Sequence, residues 1–109
     1  NPLAAAAICK VLELFGKNHI LEHVNEVAPY LEKRLDNLME KYDFIKARRG
    51  SGLMQGLVFD RPVADIINRA LENGLVLINA GTDIIRFVPP LIITEADVDV
   101  MVERLERSF

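Results

Sequence analysis

The opening stretch NPLAAAAICKVLELFG restricts the fold more than any other part of the chain, because between Leu3 and Phe15 only Lys10 and Glu13 are polar. Asn1 can cap a helix whose first position is Pro2, where a missing N–H costs nothing. Gly16 then offers the left-handed residue that stops the helix after Phe15. A helix apolar on almost every side asks for cover all round, and a free-standing small domain rarely begins that way. With no initiator methionine ahead of Asn1, the expectation is a piece of a longer polypeptide or a processed product.

A chain of 109 residues, half of them apolar and 27% charged, is sized for one domain with one core. Its net charge is −3, and Lys and Arg are scattered, so the basic footprint of a nucleic-acid or membrane-surface binder is missing and neither partner is expected. The single cysteine, Cys9, cannot close an internal disulfide. It lies in the apolar run Leu3 to Val11, where a buried, inert thiol is the expectation and a nucleophile is not. No apolar stretch approaches the roughly 20 residues of a membrane span, and the start lacks the basic region of a signal peptide. The reading is of a soluble protein in a reducing, cytoplasmic setting.

From Asn18, the residues Ile20, Val24, Val27, Leu31, Leu35, Leu38 and Tyr42 step by three and four, the spacing of one amphipathic helical face. Pro29 removes a hydrogen bond and presses on the carbonyl of Asn25, which predicts a kink or a break into two helices. Beyond Tyr42 the apolar period drops to two or shortens into runs. Residues 44–48 and 52–59 read as strands joined at RGSG, with Gly56 marking a bulge or a close approach. RPVADIINRALENG starts a helix near Pro62 and ends it at Gly74. LVLIN and IIRFV read as strands around the hairpin turn AGTD. Thr94 and Asp97 form a T-x-x-D capping pattern before a helix that lines Val98, Met101, Val102, Leu105 and Phe109 along one side. The order α-α-β-β-α-β-β-α predicts an α+β fold: a small, mostly antiparallel or mixed sheet of about four strands with helices on one face, preceded by the long apolar helix.

Most candidate constellations weigh toward structure. The glycines of RGSGLMQG do not have the dinucleotide spacing and lead into a strand, so they read as turn glycines. His19 and His23 share a helical spacing that metals use, but no Cys or third His joins them, which favours two partly exposed histidines and no metal site. Arg48 and Arg49 are adjacent and point to opposite sides, which favours a pair of surface arginines. No catalytic nucleophile with its base is identifiable.

Arg86 stands apart. In DIIRFVPPLIIT it is the one cation among nine apolar residues of twelve, with Ile84 and Val88 on its own side and Ile85 and Phe87 on the other. Both sides read as buried or apolar. A planar five-donor fork in such surroundings fits a carboxylate, whose charge and bidentate geometry offset dehydration. The carboxylate can belong to a ligand or to an internal partner such as Asp83 or Glu95; on composition alone the internal pair is ahead. Pro89 and Pro90 end the strand just beyond and stiffen the path.

NPLAAAAICKVLE, RRGSGLMQGLVFD and GLVLINAGTDIIRFVPPLIIT resemble, in order and spacing, the C-terminal part of class III, pyridoxal-phosphate-dependent aminotransferases, most closely the acetylornithine and ornithine branches. The resemblance spans essentially the whole chain. It implies the small C-terminal domain of a fold-type I enzyme, with residues 1–17 an interdomain helix and 18–109 the domain proper, packed on a large cofactor-binding domain in a homodimer. It implies transfer of the terminal amino group of an ornithine-like donor to 2-oxoglutarate in arginine biosynthesis, with Arg86 as a substrate-binding residue. The resemblance also places the lysine that holds pyridoxal phosphate, and most other cofactor contacts, upstream. None of Lys10, Lys17, Lys33, Lys41 or Lys46 matches it, so the chain alone is expected to be inactive and free of the cofactor. The alternative is a non-enzymatic α+β module that binds a small acid or dimerises, with Arg86 as a structural cation.

Overall fold

The computed structural model describes all residues 1–109. Eight elements follow in order: α1 (Pro2–Lys17), α2 (Ile20–Lys41), β1 (Ile45–Ser51), β2 (Met54–Phe59), α3 (Ala64–Glu72), β3 (Ile78–Asn79), β4 (Ile84–Phe87) and α4 (Glu95–Glu106). The four strands form one sheet in the order β1-β2-β4-β3, every neighbouring pair antiparallel. The fold is α+β, and the mixed-sheet option falls away.

Asn1 caps α1, its side chain accepting from the amides of Leu3 and Ala4. The helix does not stop at Gly16. It continues to Lys17 and turns at His19, the one non-glycine residue with positive φ (49°). A helical glycine forfeits stability on the order of 1 kcal/mol relative to alanine but does not force a stop. No residue of α1 is buried, and Leu3 and Leu12 stay 80% and 67% exposed. The cover that its composition asks for does not come from within these residues. Cys9, expected as a buried thiol, is exposed with the rest of the helix.

Pro29 does not divide the second helix; α2 is one element of 22 residues. Its buried stripe of Val27, Ala28, Leu31, Leu35 and Leu38 lies on both sides of the proline, so packing holds the helix together where one rung is missing.

The β1–β2 hairpin turns later than the sequence suggests. Ser51 pairs with Met54, so the turn is Gly52–Leu53 and Arg49 and Gly50 belong to the strand. Gly50 is obligatory: at φ +137°, a Cβ there would meet the Met54 carbonyl oxygen at 2.2 Å. At the other end a register shift between Ile45 and Ala47 marks a bulge, which sends Ile45 to the core and Ala47 to the far face. LVLIN contributes only Ile78–Asn79. Continuing its register with β4 would set Leu75 opposite Pro89, which has no N–H to give.

The two faces of the sheet diverge. Directly opposed antiparallel residues share a face, so the rows Arg48–Leu57–Ile85–Asn79 and Gln55–Phe87 look one way and Arg49–Gly56–Arg86–Ile78 and Ala47–Val58–Ile84 look the other. The first face is covered by α2, α3 and α4, where Leu57, Ile85 and Phe87 join Leu31, Leu35 and Leu105 in a single core. α4 is started by a complete capping box between Thr94 and Asp97, as its T-x-x-D pattern predicts. The second face has no layer over it.

Candidate functional site

Arg86 sits on that second face, and it is exposed. The expectation that both sides of its strand are buried or apolar holds: Ile85 and Phe87 are buried, and the side of Arg86 and Val88 is apolar but open, because all three core helices pack on the opposite surface. Arg86 borders a cleft of about 370 Å³ that Leu75, Val76, Val88, Pro89 and Met101 also line. It is the only charged group lining that cleft. The segment before β3 and the Pro89–Pro90 segment after β4 form the two walls. The prolines keep the chain extended past Phe87.

The internal ion pair does not form. Every ion pair in the molecule uses another cation, and neither Asp83 nor Glu95 takes part in one. Arg86 therefore presents its five donors to the cleft and to solvent, an arrangement suited to gripping a planar oxyanion from outside the chain.

The neighbouring arginines part company, as strand alternation predicts, but they are not a pair of surface cations. Arg48 turns into the covered face. Its Nε lies 2.6 Å from Asp36 Oδ1, its Nη2 3.2 Å from Asp36 Oδ2, and its Nη1 donates to Gln55 Oε1 at 3.0 Å. The Asp36 hydrogen bonds, against opposing desolvation, raise the already high pKa of this guanidinium. Gln55, only 1% exposed, completes the group by donating to Glu32 and to the Gly52 carbonyl. This network ties α2 to the hairpin. Arg49, one residue on, is exposed and makes no hydrogen bond or ion pair. Reading RGSG as the turn hid this residue's strand position. Only the true turn at Gly52–Leu53 sets Arg49 opposite Gly56 and in line with Arg86.

Neither histidine lines the Arg86 cleft. His19 is exposed at the α1–α2 turn, while His23 is half-buried with Nε2 2.8 Å from the Ile93 carbonyl oxygen. No group of three or more His, Cys, Asp or Glu side chains is arranged to hold a metal ion. No helix is long and apolar enough to cross a membrane.

The residues present do not fit a covalent hold on pyridoxal phosphate. None of the five lysines lines the Arg86 cleft. Lys10 and Lys41 are engaged with Glu13 and Glu106, Lys46 donates a hydrogen bond to the Asp43 carbonyl, and Lys17 and Lys33 lie exposed on helices α1 and α2.

Comparison with known proteins is consistent across sequence and structure. The family described as "Aminotransferase class-III" matches residues 1–109. An acetylornithine aminotransferase of Gloeobacter violaceus is 40% identical over 111 residues, covering 100% of this chain and 28% of that protein. That of Methanocaldococcus jannaschii is 39% identical over 110 residues, covering 100% and 27%. Among solved structures, acetylornithine aminotransferase from Elizabethkingia anophelis superposes with a TM-score of 0.90 at 27% identity, over 99% of this chain and 28% of that one. The chain thus spans little more than a quarter of the length of these relatives. With every residue inside the family match and two relatives 39–40% identical over the whole chain, the chain belongs to the class III aminotransferases.

Proposed function

We propose that the chain is the small domain of an acetylornithine-type aminotransferase, and that Arg86 binds the carboxylate of its substrates. In this reading the full-length enzyme moves the terminal amino group of N-acetylornithine, or a similar ornithine-like donor, to 2-oxoglutarate in arginine biosynthesis. It works in the cytoplasm as a homodimer. Residues 18–109 form the domain and residues 1–17 the helix that joins it to the large domain, which supplies the cover that α1 lacks. Pyridoxal phosphate, the cofactor of the class III family, supplies the electron sink for amino transfer. The 109 residues alone neither hold it nor catalyse.

The observation that carries this reading is the unpaired Arg86 guanidinium at the mouth of the apolar cleft. A permanently charged fork without an internal partner has its favourable dehydration only with an incoming anion. The relatives named acetylornithine aminotransferase support the choice of donor. The test is Arg86→Lys in the full-length enzyme. A lysine keeps the charge and loses the bidentate fork, so KM for 2-oxoglutarate and for the donor should rise about tenfold or more, on the scale of a lost charge-assisted hydrogen bond. Unchanged KM values for both would remove the carboxylate role.

A further inference from the structure

The two walls of the Arg86 cleft are held in unequal ways. Leu75 to Ile78 form one wall, and several bonds fix it. The Leu75 amide donates to the Ala70 carbonyl at 2.8 Å, Arg104 Nη1 donates to the Gly74 carbonyl at 2.6 Å, and Ile78 and Asn79 pair with β4. The other wall, with Val88, Pro89, Pro90 and Ile93, runs from the end of β4 to Thr94 without joining a ladder. Pro89 and Pro90 have no N–H to give, and the Ile93 amide closes a local turn onto the Pro90 carbonyl at 3.0 Å. From residues 89–93 one hydrogen bond reaches a distant part of the chain: the Ile93 carbonyl oxygen lies 2.8 Å from His23 Nε2, 70 residues away. A carbonyl only accepts, so Nε2 carries the hydrogen.

We infer that His23 is a positioning residue for substrate binding: its Nε2–H fixes the Ile93 peptide, and through it the proline wall that sets how an acid held by Arg86 lies in the cleft. The inference rests on the aminotransferase reading above and deepens it at the same site. The donor stands on a rigid element. His23 lies in the first turn of α2, its own amide bonded to the His19 carbonyl at 3.0 Å, and Val27 and Leu31 bury the turns that follow in the core. The Ile93 side chain is also buried, which keeps the segment on the domain. Apolar contact is non-directional, however, whereas a hydrogen bond sets the orientation of the peptide that accepts it. Because φ is locked at Pro89 and Pro90, the orientation fixed at Ile93 passes back along the wall toward Val88 and Arg86. The His23 ring does not line the cleft, so it acts through Ile93 and not on the ligand.

The experiment uses the full-length holoenzyme with His23→Ala and His23→Gln, read by amide hydrogen exchange, thermal melting and steady-state kinetics. His23→Ala should speed exchange of the Ile93 and Thr94 amides about fivefold or more, on the scale of one lost hydrogen bond, and leave β2 within about twofold of wild type. KM for the amino donor and for 2-oxoglutarate should each rise about threefold to tenfold. The reacting groups are untouched, so kcat should stay within about twofold. His23→Gln keeps an N–H that can reach the same carbonyl and should restore the exchange and most of the KM. Wild-type exchange in His23→Ala overturns the inference. So does faster exchange or a lower melting temperature with wild-type KM, which makes the tie structural alone. A rise in KM that His23→Gln does not reverse also overturns it, since the hydrogen bond to Ile93 would then not be the cause. Raised KM in Arg86→Lys beside wild-type KM in His23→Ala sinks the positioning role alone, whereas unchanged KM in Arg86→Lys sinks the carboxylate reading.

Discussion

Arg48 and Arg49 are neighbours in sequence and opposites in circumstance. Arg48 points into the covered face of the sheet, where Asp36 and Gln55 take its donors; Arg49 points to the open face and meets nothing. The same division runs through the whole sheet. Leu57 and Ile85 are fully buried, while Val58 and Ile84, one residue away on each strand, are only half so. A polar group on the covered face has been given partners within the chain, and one on the open face has been left free. That difference separates groups that build the domain from groups available to something outside it.

The sharpest way to break the comparison is to cut apolar bulk from each side. Leu57→Ala should cost about 3–5 kcal/mol of stability in urea unfolding of the 109-residue chain, because a fully buried leucine leaves a cavity among Leu31, Leu35 and Ile85. Val58→Ala on the open face should cost less than about 1 kcal/mol. Equal losses would mean that the two faces are equally packed.

A smaller contrast uses the arginines. Arg48→Gln leaves Asp36 and Gln55 short of a donor and should cost about 1–3 kcal/mol. Arg49→Gln in the same 109-residue chain should stay within about 0.5 kcal/mol of wild type. If Arg49→Gln were the more destabilising of the two, the assignment of their faces would be wrong.

The rim of the covered side gives two lesser effects. Thr94→Ala removes the side chain that accepts from the Asp97 amide and should cost about 1 kcal/mol, read from the same unfolding curves. Glu106 has its pKa lowered first by the Lys41 hydrogen bond and further by that of the Tyr42 hydroxyl, with desolvation opposing. A carboxylate lowered on folding contributes stability that is present above its unfolded pKa and is lost as pH falls through the folded value. Glu106→Gln should therefore flatten the acid limb of the stability-versus-pH curve and leave the neutral region nearly level. An unaltered acid limb would show that the Glu106 contact with Lys41 and Tyr42 carries none of it.

Elements set by short-range chemistry were legible. The Asn1 cap, the Pro2 start, the Thr94–Asp97 capping box and the α2 stripe each need only residues within a turn or two. What failed needed partners distant in sequence. Gly16 reads as a stop, yet the chain turns at His19. Pro29 reads as a kink or a break, and the break does not occur, because the core holds α2 in one piece. The RGSG turn slipped because Gly50 and Gly52 both take positive φ, and only the pairing of Ser51 with Met54 tells which of them makes the corner. Of the site, Arg86 was legible as a cation among apolar residues, whereas the alignment of Arg49 with it depended on that misplaced corner.

By itself the sequence determined the order of elements, the alternation along each strand, the family likeness and the one arginine that its neighbours do not explain. Only the tertiary structure decided which side of the sheet is covered. Both sides of β2 and β4 are apolar, Leu57 and Ile85 on one and Val58 and Ile84 on the other, so alternation marks two faces without ranking them. The ranking comes from where α2, α3 and α4 find room to bury their own stripes. Once they settle against Leu57 and Ile85, Arg48 must find partners and Arg49 and Arg86 are left facing out.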